Sequence, residues 1–87
     1  MRVHLGGHLS WYDPGKRGWM ELDPLTVLAG RQDGRSGSPT PADVVRHLGL
    51  PRSEIALVAV NGRVVDPEAV QLTADDRLEL YPPIGGG

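Results

Sequence analysis

The residues with the clearest chemical potential are the last ones, Tyr81-Pro82-Pro83-Ile84-Gly85-Gly86-Gly87. With Gly87 as the terminal residue, the run is expected to leave a free α-carboxylate on a stem without side chains. Glycine accepts almost every backbone conformation, so such a stem can thread a tunnel that any Cβ would block. Proline fixes its own φ and pushes the residue before it toward extended conformations, so Pro82, Pro83 and Ile84 hold the base of the stem straight. Six residues, 82 to 87, can reach on the order of 20 Å from the body. The arrangement suits presentation of a carboxylate inside another protein's active site.

Other chemistry is sparse. The chain has no cysteine, which excludes disulfides, thiolate metal sites and a cysteine nucleophile. His4 and His8 on one strand would stand about 13 Å apart, too far to share a metal. His47 falls in the middle of a predicted helix and has no second ligand at i±4. No metal site is expected, Asp75-Asp76 reads as a turn, and no Ser-His-Asp arrangement is evident. There is no Gly-x-x-x-x-Gly-Lys-Ser/Thr loop, so no bound cofactor is expected and the chain is not predicted to bind ATP itself.

Bulk properties narrow the classes further. Eighty-seven residues with 39% apolar and 23% charged content fit one small globular domain with a thin core. A net charge of −2 offers no basic stripe for nucleic acid. No apolar run reaches the length of a membrane span, and Met1-Arg2-Val3-His4-Leu5 lacks a signal-peptide apolar region, so a cytoplasmic location is expected. Lys16 is the sole lysine, a ratio to arginine that compositional bias explains.

The elements that must position the tail follow from periodicity and turn chemistry. Residues 1 to 12 read as a strand interrupted by Gly6-Gly7, a pair that signals a bulge or a close backbone approach. Asp13-Pro14-Gly15-Lys16 is a turn, and Gly18 to Leu22 returns as the second strand of a hairpin. Residues 30–39 hold no large apolar side chain and read as a surface loop. Thr40, Pro41 and Asp43 form a helix start of capping-box type, Val44, Val45 and Leu48 share a face, and Gly49 with Pro51 ends the helix. Ile55 to Val60 is β-prone, Asn61-Gly62 is a two-residue hairpin turn, and Arg63-Val64-Val65 is the return strand. Val70 and Leu72 are expected beneath the domain, and Arg77 to Tyr81 forms the last strand with Leu78 and Leu80 inward. The predicted order β-β-α-β-β-β is an α+β fold, a mixed sheet of about five strands on one main helix, as in the ubiquitin-like β-grasp. The division expected is a domain over 1–81 and an extended flexible tail over 82–87.

Three segments together resemble the MoaD/ThiS family of ubiquitin-like sulfur carriers. They are Val58 to Val65, Leu72 to Leu80, and Pro82 to Gly87, and the good match spans residues 55 to 87. The chain departs from the family in three places. Asp75-Asp76 stands where Gly-Asp is usual, which aspartate's tolerance of the left-handed region accommodates. The loop before the helix is longer, and Gly85 sits where Ala or Ser is common.

The resemblance implies a carrier or co-substrate rather than an enzyme. Gly87 would supply a carboxylate that an E1-like adenylating enzyme activates with ATP. A sulfurtransferase or cysteine desulfurase would then supply sulfur, leaving a thiocarboxylate. Gly86, Gly85, Ile84, Pro83 and Pro82 would thread the partner. The acceptor it implies is a molybdopterin-synthase large subunit or a thiazole synthase, with Pro82-Pro83 closer to the molybdopterin-synthase small subunit. From the strand pattern, Arg77, Glu79 and Tyr81 face away from the helix and, with His4 and Trp19, form a candidate docking patch. Trp11 is expected to cover the edge of the core. Two other functions fit the tail and domain: a protein modifier joined through Gly87 to target lysines, and a β-grasp interaction module with an inert tail.

Overall fold

A computed structural model describes residues 1–13, 15, 17–29 and 37–83. Pro14, Lys16, most of the loop expected at 30–39, and Ile84 to Gly87 lie outside the described residues.

Alternation in the sequence becomes five strands: β1 (Arg2–Leu5), β2 (Trp19–Glu21), β3 (Leu57–Val60), β4 (Arg63–Val64) and β5 (Arg77–Tyr81). They form one sheet in the order β2-β1-β5-β3-β4. β1 and β5 run parallel in the centre and every other pair is antiparallel. Side chains alternate across a strand, so the register sorts them onto two faces. Val3 lies opposite Leu78 and Met20, Leu5 opposite Leu80, and Val58 and Val60 opposite Leu80 and Leu78. All of these are buried, in one cluster with Leu9, Val27, Val44, Val45, Leu50 and Leu72. This is the mixed-sheet α+β architecture expected of a β-grasp.

Two short helices rather than one cover the apolar face. α2 (Pro41–His47) starts as its sequence predicts: Thr40 Oγ1 accepts from the Asp43 N–H, and Asp43 Oδ2 accepts from the Thr40 N–H. Gly49, at φ 71°, ends it, and His47 is its last residue rather than a central one. α1 (Pro24–Ala29) has no counterpart in the expected order. Asp23 starts it, with Oδ1 accepting from the Leu25 N–H and its carbonyl accepting from Thr26 and Val27. Only Val27 of α1 is buried, so six residues carry too little periodicity to announce a helix. Pro39, assigned to the surface loop, is also buried, and its carbonyl accepts from the Leu72 N–H.

The expected continuation of β1 through Tyr12 is instead a 3-10 helix, Gly7–Tyr12. The parallel ladder explains the change. Gly6 N–H donates to the Leu80 carbonyl at 2.8 Å, and the next rung would bring an N–H at position 82 to the Gly6 carbonyl. Position 82 is proline and has none. The Gly6 carbonyl accepts from Leu9 instead, Gly7 turns the chain at φ 53°, and Leu9 enters the core. His8 consequently leaves the strand, and its Nε2 lies 3.4 Å from Glu54 Oε1. Trp11 does not cover the core edge, since it is 73% exposed.

Two turns complete the frame. Asn61 and Gly62 take φ 53° and 85°, as a two-residue hairpin requires. The Asp75-Asp76 turn needs no left-handed residue, because Asn61 alone among described non-glycine residues has positive φ. Asp76 Oδ2 closes that turn by accepting from the Thr73 N–H at 2.8 Å.

Candidate functional site

The open face of the sheet and the base of the tail meet at the end of β5. Register puts His4 opposite both Glu79 and Trp19, and Leu57 opposite Tyr81, all on the side away from the helices. The His4 and Tyr81 rings sit 5.7 Å apart at 57°. The Tyr81 hydroxyl donates to Glu79 Oε2 at 2.6 Å, and Arg77 Nε lies 3.9 Å from Glu79 Oε1. The sequence-predicted patch of His4, Trp19, Arg77, Glu79 and Tyr81 is therefore spatially contiguous.

Arg2 belongs to the same face and was missed. Its guanidinium lies 4.9 Å from the Trp19 ring centroid, and its Nε lies 3.5 Å from Glu21 Oε1. The β1 alternation that placed His4 outward already placed Arg2 beside it. Arg2, His4, Trp19, Arg77 and Glu79 line a depression of about 230 Å³. It holds cations, a carboxylate and an indole together, and arginine and tryptophan are among the residues enriched in protein contacts.

Nearer the tail the face turns apolar. Ala56, Leu57, Tyr81, Pro82 and Pro83 line a groove of about 570 Å³. The Ala56 N–H donates to the Tyr81 carbonyl at 2.9 Å, so the chain entering β3 flanks the outgoing tail. Ala56 and Leu57 were not anticipated here, because β-prone residues read as core until register is known.

Burial differs along the base of the tail. Pro82 is half-buried and Pro83 exposed. A Cβ at Gly6 would lie 2.5 Å from Tyr81 Cδ1, and one at Gly7 would lie 2.9 Å from Pro82 Cγ. The close approach expected at Gly6-Gly7 is thus an approach to the tail. Gly87, Gly86, Gly85 and Ile84 lie outside the described residues.

The far end of β5 is tied down separately. Asn61 Oδ1 accepts from the Arg77 N–H, the Asn61 N–H donates to the Arg77 carbonyl, and Asn61 Nδ2 donates to Asp76 Oδ1. The Thr73 N–H and the Asn61 amide hold the Asp76 carboxyl below its usual range. The hydrogen bond to Glu79 pushes the Tyr81 phenol above its usual value, and desolvation and the Glu79 charge act in the same direction. Tyr81 is therefore a neutral donor across physiological pH.

Among the described residues no group of three His, Cys, Asp or Glu side chains can hold a metal ion, and no helix is long and apolar enough to cross a membrane. Among the described residues the open face thus carries a polar and aromatic patch, and an apolar groove beside Tyr81, Pro82 and Pro83. A sequence model described as the ThiS family matches residues 27–87.

The chain belongs to the ThiS family.

ThiS-family proteins are small ubiquitin-like sulfur carriers rather than enzymes, and they imply partners of the E1-like and sulfur-transfer classes. The ThiS match takes in α2 and the second half of α1, as well as the segment from residue 55 onward that carried the resemblance. It includes Arg77, Glu79, Tyr81 and the whole tail, and it leaves out β1, the first 3-10 helix and β2. Neither the curated proteins nor the solved structures give a significant match to the chain.

Proposed function

We propose that the chain carries sulfur as a thiocarboxylate on Gly87, donated in the synthesis of a cofactor. The observation that carries the reading is the sequence position of the glycines, separated by three residues from β5, the central strand whose outward residues line the open face.

A carboxylate is a poor electrophile, so it must first be activated. One oxygen of Gly87 attacks the α-phosphorus of ATP in an E1-like partner, and pyrophosphate leaves. The terminal sulfur of a partner's persulfide attacks the acyl carbon, and AMP leaves. A second thiol then cleaves the S–S bond, which leaves the thiocarboxylate on Gly87 and a disulfide on the partner. Every catalytic group belongs to the partners. This chain supplies the acyl group, the clearance of Gly85 and Gly86, and an extended base from Pro82 to Ile84.

His4, Trp19, Arg77, Glu79 and Tyr81, with Arg2, form the surface on which the adenylating enzyme docks. A sulfurtransferase or cysteine desulfurase supplies the persulfide, in the cytoplasm. The tail acts as a flexible segment beyond a domain of residues 1–81. Pro82-Pro83 favours a pterin-type acceptor held by a molybdopterin-synthase large subunit, with this chain as the small subunit. A thiazole synthase is the alternative acceptor, and the ThiS match accommodates it.

The test is ATP-dependent pyrophosphate release by the E1-like enzyme with the full chain and with a chain lacking Gly86 and Gly87. The full chain supports release and the shortened one does not. Equal release from both would remove the tail from the chemistry.

A further inference from the structure

We propose that Gly6 and Gly7 are positioning residues for the tail, their missing side chains forming the seat on which Tyr81 and Pro82 fix the line of exit. The inference rests on the carrier reading.

The two glycines are needed for different physical reasons. Gly6 has φ −78° and ψ 155°, a conformation open to any residue, so its backbone does not demand glycine. Space demands it: a Cβ there would lie 2.5 Å from Tyr81 Cδ1 and 3.2 Å from the Leu80 carbonyl oxygen. Gly7 is in the left-handed region at φ 53°, and its Cβ would also meet Pro82 Cγ at 2.9 Å. The clashes are with the last two residues of β5 and the first residue of the tail. On its other side Tyr81 is held by the His4 ring and by Glu79. Pro82 has a fixed φ and cannot turn away cheaply. The N-terminal segment therefore sets the direction in which the chain leaves β5.

The two glycines lie before the span of the family match, which starts at residue 27, whereas Tyr81 and Pro82 lie within it. The consequence of the seat is a matter of reach. The five residues from Pro83 to Gly87 can span at most about 17 Å, so a tilt at Pro82 draws the carboxylate away from an active site that the tail must extend to enter. A displacement of about 1 Å at a reacting atom can cost on the order of 100-fold in rate.

Gly49 provides the control. It has φ 71°, and a Cβ there meets nothing within 4 Å. Gly49→Ala therefore carries the backbone strain of Gly7→Ala without the clash. The experiment measures kcat and KM for pyrophosphate release from the full chain, ATP and the E1-like adenylating enzyme, together with thermal unfolding. Both variants should lower Tm by about 4–8 °C. Gly7→Ala alone should lower kcat, by about 10-fold or more, with KM within about twofold of the parent. In the Pro82→Ala background, which removes the colliding Cγ and also supplies the N–H that position 82 lacks, the Gly7→Ala penalty on kcat should shrink to about threefold or less.

An unchanged kcat in Gly7→Ala, an equal loss in Gly49→Ala, or no rescue by Pro82→Ala would each overturn the positioning role while leaving the carrier reading intact. Absence of release from the parent chain would overturn the carrier reading, and the seat with it.

Discussion

The Tyr81 hydroxyl donates to Glu79 Oε2 at 2.6 Å, joining the last two open-face side chains of β5 before the prolines. Ionising Tyr81 would set a phenolate against a carboxylate, so its folded-state pKa lies above the ordinary 10.0. The stabilisation is complete below pH 10 and is lost as pH rises through the folded value. Spectrophotometric titration of tyrosinate should show Tyr81 ionising above 10 in the folded protein. Glu79→Gln should move it back toward 10. Titration of Tyr81 at or below 10 in the parent would contradict the pairing.

Docking through the open face, as proposed, predicts a division of labour between the two sides of the domain. Tyr81→Ala and Trp19→Ala remove large anchors from the open face, and each should weaken binding to the adenylating enzyme by about 10-fold or more. Leu25 is 73% exposed on α1, in the helical layer covering the other side of the sheet. Leu25→Ala should leave affinity within about twofold, as expected away from an interface. Calorimetric titration of the three variants decides the matter. Equal losses would remove the docking role from the open face.

Asp13 contributes to acid sensitivity, alongside Asp76. The buried Asp13 carboxylate accepts from Arg17 Nε at 2.9 Å and from the Arg17 N–H at 3.0 Å. These bonds hold its pKa at about 2 against an ordinary 3.8. A depressed folded value stabilises above 3.8, and the contribution disappears as pH falls through about 2. Denaturant unfolding between neutral pH and pH 2 should show this loss, and Asp13→Asn should flatten that part of the profile. An unchanged slope in Asp13→Asn would exclude Asp13 as a source.

Two substitutions calibrate the frame. Thr40→Ala removes the acceptor for the Asp43 N–H and should cost about 1 kcal/mol. Leu78→Ala empties a site with no exposed surface, between Val3 and Val60, and should cost about 2–5 kcal/mol. Urea unfolding checks both. A larger loss for Thr40→Ala than for Leu78→Ala would contradict the placement of the core.

What the sequence made legible was local. The Thr40-Pro41-Ala42-Asp43 cap and the Asn61-Gly62 turn are satisfied within a few residues, so their chemistry could be read in place. The outward set of β5 followed from alternation alone. The first 3-10 helix was not legible, because it depends on a missing N–H at Pro82, near the other end of the chain. Gly6-Gly7 signalled close approach, but only the parallel pairing of β1 with β5 shows that Tyr81 and Pro82 are what approach. α1 escaped because one buried residue, Val27, makes no period. Its signal was the Asp23-Pro24 start. Arg2 was open to the same alternation that found His4, and only register makes Leu57 a neighbour of Tyr81.

The central claim concerns one atom at Gly87, and intact-mass spectrometry reads it directly. The full chain is incubated with the adenylating enzyme, ATP and a persulfide-loaded sulfurtransferase. The predicted result is a gain equal to the mass difference between sulfur and oxygen, localised to Gly87 by fragmentation and absent when Gly86 and Gly87 are removed. An unchanged mass after AMP has been released, or recovery of Gly87 only in amide linkage to lysines, would contradict the sulfur-carrier account.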